Sequence, residues 1–487
     1  MTQTKVASAE SLSRKNYEPT WASLDSRPLP EWFDQDKIGI FLHWGPYSVP
    51  SWAPKIKGGE YGEAGHACWY QATLAGPGID RVYSFDEKHR ASFQAFHERM
   101  FGSNVSYEEL AVNFKGELFD PREWASLIQR SGAKWAILTS KFHDGFCLWP
   151  SNYSAHWNST VIGAKRDLLG EFMGAMQAAG LRSGFYYSLL EHTHPLYRDK
   201  SCVDEFVQNH LHPQFKEVVS RYVPSFIYLD GEWEFPEPVW RFRELLAWLY
   251  NESPCRDEVI INDRCGADTR GKHGDVFCSE IGMERDRETK QGFSHKWIED
   301  RPLADWSWNR ALKIEDYLSE RDMIHVLVET VANGGNLHIA VSPSPDGLIP
   351  YIQQERLLQL GDWLRVNGEA IYASQRRSVT SEGAPAPTHY PYLDQNMHWA
   401  VRTETPLVHY TAKETTVYVI CMAWPKQELV LEQVIPTSET TIHLLGYEPP
   451  LEWSQDEAGR LRIQVPYLTV DEVPCHAAYV FRITKAR

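Results

Sequence analysis

Short apolar runs alternate with helix-period segments over the first three quarters of the chain. The last quarter breaks into shorter stretches in which apolar and polar residues alternate. The apolar runs are KIGIFLHW (37–44), KWAILTSK (134–141), LRSGFYYS (181–188), SFIYLD (225–230), EVIIND (258–263), DVFCSE (275–280), a seventh near 303–308, and NLHIAVSP (336–343). Runs of this kind predict strands buried on both faces, as in a parallel sheet enclosed by helices. Between them lie amphipathic helices with readable ends. Asp120-Pro121-Arg122-Glu123 offers an N-cap, a proline at the first helical position and a capping-box acid, closed by Gly132. Segments 167–180, 315–332 and 351–366 read likewise as helices. Roughly eight strand-and-helix units predict a (β/α)8 TIM-type barrel. Beyond about 385, HWAVRT, TTVYVICMAW, TTIHLLG, LRIQVP and AAYVFRIT predict an all-β sandwich behind a proline-bearing linker. The expected organisation is an N-terminal extension (1–29), a catalytic barrel (30–375), a linker (376–392) and a C-terminal β-sandwich (393–487).

Composition narrows the partners. The 487 residues are 43% hydrophobic, enough for one large core and a smaller one. A formal charge of -16 argues against nucleic acid or an anionic membrane surface as the main partner. No stretch approaches the length of a membrane span, and MTQTKVASAESLSRKN lacks an apolar leader, so a cytoplasmic location is expected. The eight cysteines are scattered without a C-x-x-C pair, and His192/His194 and His210/His212 lack companion ligands, so neither a zinc site nor a disulfide scaffold is indicated. Aromatic residues make up 13% of the chain. Several tryptophans stand beside polar residues or glycine, as in sites that stack flat rings on sugars.

The chemistry gathers at strand ends, which in such barrels face the ligand-binding mouth. SFIYLDGEW (225–233) is an apolar strand that stops on Asp230. A lone carboxylate there more often caps a turn, but its neighbours change that weighting. Other strands end on His43-Trp44, on His143, on Tyr186-Tyr187, on Arg264 and on Glu280, with Trp306 in the seventh segment. Imidazoles, a guanidinium, flat rings and two carboxylates from different strands form the inventory of a glycosidase. One carboxylate attacks or stabilises the anomeric carbon while the other protonates the leaving oxygen. Asp230, near Arg264, would stay ionised as the nucleophile, while His43 and His143 hold sugar hydroxyls. Neither metal nor organic cofactor is needed.

Several motifs carry a family resemblance. FLHWGPYSVPSW (41–52), KFHDGF (141–146), YLDGEW (228–233), INDRCG (261–266), DWSWN (305–309) and the long segment spanning 328–374 occur in the order seen in glycoside hydrolase family 29, and from about 30 to 375 the chain resembles the α-L-fucosidases of that family. The resemblance implies a retaining exo-hydrolase that removes terminal α-L-fucose from oligosaccharides or glycoconjugates, with Asp230 as nucleophile. It implies His43, Trp44, Trp69, His143, Tyr187, Tyr228, Arg264 and Trp306 as substrate-binding positions. The expected partner is a fucosylated glycan, and a homo-oligomer is compatible with the family.

Two departures stand out. Phe142 precedes His143 where many members carry paired histidines, and Cys68 falls where a glutamate is common, leaving Glu60, Glu63 or His66 as replacements from the same loop. The general acid is assigned to Glu280, with Glu284, Glu288 and Glu299 as rivals. An α-L-galactoside hydrolase on the same carboxylates, and a sugar-binding protein without turnover, are the alternative readings.

Overall fold

The computed structural model describes residues 16–55, 66–76, 87–281, 295–383 and 407–486. Among these, eight parallel strands form one curled sheet: β1 (Ile38–Leu42), β2 (Trp135–Lys141), β3 (Arg182–Ser188), β4 (Phe226–Asp230), β5 (Ile260–Ile261), β6 (Phe277–Glu280), β7 (Trp297–Pro302) and β8 (Asn336–Val341). The order runs β5-β4-β3-β2-β1-β8-β7-β6, and a parallel bridge between Asn262 and Val276 joins the two ends. The sheet therefore closes as the alternation of strands and helices predicted.

Side-chain alternation sorts every strand into two layers. Facing inward are Phe41, Trp135, Ile137, Tyr186, Phe226, Tyr228, Ile260, Cys278 and Ile298, which pack as one cluster. The alternate residues, such as Ile40, Leu138, Phe185 and Leu229, pack outward against the helices. A Cβ on Gly39 would meet the Trp135 indole at 2.0 Å, so glycine there makes room for the largest inward side chain. Across the interior, Trp135 Nε1 donates to His338 Nε2 (2.6 Å), His338 Nδ1 pairs with Asp300 Oδ1 (3.1 Å), and the Tyr228 hydroxyl donates to Asp300 Oδ2 (2.8 Å). Each buried polar group in that row has a partner, which is the condition for burying it at all.

Helix ends follow their sequence signals. The helix Pro121–Arg130 is capped by Asp120, and Leu168–Ala178 by Asp167, whose carboxylate accepts from the Gly170 amide. The helices Glu320–Ala332 and Tyr351–Asn367 complete the outer layer near the C-terminal domain.

Three boundaries differ from expectation. The seventh strand lies at 297–302, not near 303–308; its sequence WIEDRP carries three charged residues that are all buried, so apolarity could not reveal it. Residues 375–382, expected to end the barrel and begin a linker, form β9 (Gln375–Glu382), which pairs antiparallel with β10 (Val408–Lys413). Its exposed, polar residues belong to an edge strand, which needs no apolar run. Within the expected N-terminal extension, Leu24 joins the outer core and Arg27 is buried in an ion pair with Asp275.

Beyond β9 and β10 come β11 (Thr416–Cys421), β12 (Glu428–Leu431), β13 (Thr441–Leu444), β14 (Trp453–Gln455), β15 (Leu461–Gln464) and β16 (Tyr479–Thr484). They build a five-stranded sheet, β13-β16-β11-β10-β9, and a three-stranded one, β12-β15-β14, around a shared apolar core. HWAVRT (398–403) lies outside the described residues. Trp363 Nε1 donates to the Ala478 carbonyl (2.9 Å), and Tyr418, Ile420 and Val480 join the outer core of the barrel. No helix among the described residues is long and apolar enough to cross a membrane.

Candidate active site

β4 delivers Asp230 to the C-terminal mouth of the barrel, and Gly231 turns the chain away at once. Gly231 has φ +85°, and a Cβ there would meet Leu190 Cγ at 2.5 Å, so glycine is required on both counts. The Asp230 carboxylate is gripped from both sides. Oδ1 accepts from Arg264 Nη1 at 2.9 Å, Oδ2 accepts from the Tyr186 hydroxyl at 2.6 Å, and His143 Nε2 stands 3.6 Å from Oδ2. Burial pushes the carboxyl above its usual range; Arg264 and the Tyr186 hydrogen bond oppose that shift, while Glu232 adds to it.

Arg264 is the hub. Beyond Asp230, its Nη1 lies 3.3 Å from Glu232, and its Nη2 pairs with Glu280 at the end of β6. Burial opposes the Arg264 charge, but Glu232, Tyr228 and Asp230 outweigh it and raise its pKa. Glu232 also meets Arg270 Nη1 at 3.1 Å. Burial works against its charge too, yet the two guanidinium groups hold its carboxyl below the usual range. Glu232 thus supports Arg264 from beneath.

The imidazoles are neutral by design of the pocket. Burial lowers His43 to about 3, with His66 pressing the same way, while its Nδ1 pairs with the Tyr47 hydroxyl at 2.7 Å. Burial likewise takes His143 well below its normal value, aided by His192, His43 and Arg264; its Nδ1 pairs with Ser188 Oγ at 2.6 Å. Neutral rings can both donate to and accept from sugar hydroxyls. Trp69 packs against His143 (centroids 4.9 Å apart) and Trp233 (6.0 Å, 29°), forming an aromatic side wall. Tyr228 stacks on Tyr186 (14° between planes) beneath the Arg264 guanidinium, and Trp306 packs at the edge of the same cluster.

Most of the expected residues therefore converge: Asp230, Glu280, His43, Trp69, His143, Tyr228, Arg264 and Trp306. Two do not. Trp44 is fully buried on the outward side, among Phe114, Phe119 and Trp124, with Nε1 donating to the Ser344 carbonyl (2.8 Å). Tyr187 also faces outward: its hydroxyl meets Gln214 Oε1 at 2.8 Å, and Lys141 Nζ lies 4.2 Å from its ring. Its neighbour Tyr186 is the tyrosine that reaches the site. On a strand buried on both faces, adjacent tyrosines carry no sequence mark of which points in.

A bulge at the end of β2 completes the re-aiming. The β2–β3 register shifts between Thr139 and Lys141, which sends Lys141 outward to Glu191 (2.5 Å) and brings Phe142 against His43, Tyr47 and Tyr186. Glu299, a rival acid, is fully buried and paired with Arg301 at 2.6 Å, one residue out of phase with the inward Asp300. Glu60, Glu63, Glu284 and Glu288 lie outside the described residues. Tyr186, Trp233 and Glu232 complete the site beyond the expected set; the two last follow Asp230 and Gly231 in YLDGEW, within reach of a motif reading.

The sequence profile described as "Alpha-L-fucosidase" matches residues 4–369, and that of "Alpha-L-fucosidase C-terminal domain" matches 402–484. The chain belongs to the α-L-fucosidase family. Among curated fucosidases it is similar to the tissue alpha-L-fucosidase of Homo sapiens, 38% identical over 98% of this chain and 95% of that protein, and to that of Rattus norvegicus, 37% identical over 98% and 95%. Among solved fucosidase structures it is similar to the Thermotoga maritima alpha-fucosidase in complex with fucose (TM-score 0.75, 30% identity, covering 96% of this chain and 100% of that one). A complex of the same bacterial enzyme with a mechanism based inhibitor gives the same TM-score and coverage. The fucosidase profiles together span both the barrel and the sandwich.

Proposed function

We propose that this chain is a retaining exo-α-L-fucosidase acting on terminal α-L-fucosides of oligosaccharides or glycoconjugates, with Asp230 as nucleophile and Glu280 as acid and base. The observation that carries the reading is Asp230 held between Arg264 and Tyr186 at the pocket floor, with Glu280 on the other arm of the same guanidinium. Two carboxylates from different strands, β4 and β6, meet at one guanidinium and supply the pair that double displacement needs.

In the first step an Asp230 oxygen attacks the anomeric carbon as its bond to the leaving oxygen breaks, and Glu280 gives that oxygen its proton. In the second, Glu280 takes a proton from water, the water oxygen attacks the same carbon, and Asp230 leaves as carboxylate. Two inversions give net retention. Neutral His43 and His143 suit hydroxyl recognition, and the apolar Phe142 and Trp306 suit the methyl group of a 6-deoxy sugar, worth roughly 1 kcal/mol on burial.

Asp230→Ala tests the reading. The variant should lose about 10⁴-fold or more in kcat on an aryl α-L-fucoside, and azide should restore turnover as a fucosyl azide of inverted configuration. Near-normal activity without azide would remove Asp230 from the mechanism. Faster turnover of the aryl α-L-galactoside than the fucoside would replace the substrate assignment.

A further inference from the structure

Tyr186 and Ser188 occupy alternate positions of β3 and share its inward face, and Ser188 stands in register with Asp230 on β4. Tyr186 grips the carboxylate; Ser188 grips the neighbouring histidine. The buried Ser188 hydroxyl has three polar neighbours: His143 Nδ1 at 2.6 Å, the Leu190 amide nitrogen at 3.0 Å and the Leu190 carbonyl oxygen at 3.1 Å. The amide can only donate, so the hydroxyl has a single proton to place, on Nδ1 or on the carbonyl. Hydroxyl-to-oxygen bonds span about 2.5–3.0 Å. The carbonyl falls outside that range, and the much shorter contact to Nδ1 takes the proton.

The far side of the ring agrees. His143 Nε2 stands 3.6 Å from Asp230 Oδ2, where an N–H is attracted by the carboxylate and a lone pair is repelled. That distance is too long for a direct hydrogen bond, but one ligand oxygen can approach both groups. Packing fixes the pose of the ring, with centroids 4.0 Å from Phe142, 4.9 Å from Trp69 and 5.5 Å from Trp233, and the His143 carbonyl accepts from the His192 amide at 2.8 Å. Only the position of the proton is left to the hydroxyl. We propose that Ser188 is a positioning residue: by donating to Nδ1 it fixes the His143 tautomer with its proton on Nε2, so that the ring offers a donor to an oxygen of the terminal sugar beside Asp230. The inference rests on the fucosidase reading above.

The experiment joins spectroscopy to kinetics. Long-range 1H–15N correlation spectra of the full chain, labelled with [15N]histidine at pH 7.5, report which ring nitrogen carries the proton; the His143 signals are those missing from His143→Gln. The wild type should show Nε2 protonated and Nδ1 as the bare acceptor. Ser188→Ala should lose that single-tautomer signature, and its kcat/KM on an aryl α-L-fucoside should fall about 10-fold, the size of one good hydrogen bond. A proton on Nδ1 in the wild type overturns the proposal, and that spectrum decides even if Ser188→Ala does not fold. A kinetic loss in Ser188→Ala with the His143 tautomer unchanged overturns it too, since a merely structural role for the hydroxyl would give that result, and so does unchanged kcat/KM. A wild type inactive on the aryl fucoside would instead overturn the fucosidase reading.

Discussion

Tyr186 and Tyr187 are chemically identical neighbours with opposite fates, and substitution separates them. Tyr186→Phe removes the hydroxyl that donates to Asp230 at 2.6 Å. A hydrogen bond to a charged group is worth about 1.5–3 kcal/mol, so kcat/KM on an aryl fucoside should fall about 10- to 100-fold with the fold intact. Tyr187→Phe deletes a contact to Gln214 in the outer layer. It should leave KM and kcat within about 2-fold while lowering stability by about 1 kcal/mol, read from urea unfolding. Equal kinetic losses in the two variants would contradict the inward and outward assignment. Asp230, Arg264 and His143 could be read from strand ends alone, because a polar group at the end of an apolar run is conspicuous. Trp44 and Tyr187 could not, because both faces of these strands are apolar and parity leaves no trace.

At the scale of elements, the active site is a product of how strands stop. Gly231 in the left-handed region ends β4 directly behind Asp230, and the β2 bulge rotates Lys141 out and Phe142 in. Gly231→Ala adds a conformational cost of about 1–2 kcal/mol and drives a methyl into Leu190 at 2.5 Å. It should reduce kcat more than 10-fold by displacing Asp230, while far-ultraviolet circular dichroism stays unchanged; full activity would show that the turn tolerates a side chain. Capping signals at Asp120 and Asp167 made helix starts readable, since each satisfies backbone amides within a few residues. β7 escaped because its buried Glu299, Asp300 and Arg301 are satisfied by partners on other strands or on alternate positions of the same one.

For the molecule as a whole, stability and pH are tied through buried titratable groups. Folded His43 titrates at about 3 against 6.5 for the free group, because burial resists its protonation. Below pH 6.5 the unfolded chain takes up a proton that the folded one refuses, so this contribution is full above 6.5 and is lost towards pH 3, at up to about 1.4 kcal/mol per pH unit. Burial works against the charge of Glu191, but Lys141 and His210 hold it at about 2, so it adds a loss between 4.5 and 2. Asp144, raised by burial to about 6, works in the opposite sense between 3.8 and 6. The urea midpoint should therefore fall on acidification from pH 7 to pH 4, and less steeply in His43→Gln; parallel slopes would show that His43 is protonated in the folded chain. The barrel and the sandwich share one outer core through Trp363, Tyr418 and Val480.

The order of apolar runs, helix caps and alternating C-terminal segments was enough, by itself, to determine a barrel followed by an all-β module, and the polar strand ends to point to a glycosidase. These are local properties, encoded in periodicity and in backbone groups satisfied nearby. Tertiary structure alone decided which member of each inward–outward pair faces the barrel interior, where β7 runs, that 375–382 joins the second sheet, and that Asp305 reaches across from β7 to hold His66. Each of those depends on partners far away in the chain, and a residue's own sequence neighbourhood carries no record of the side chain that will satisfy it.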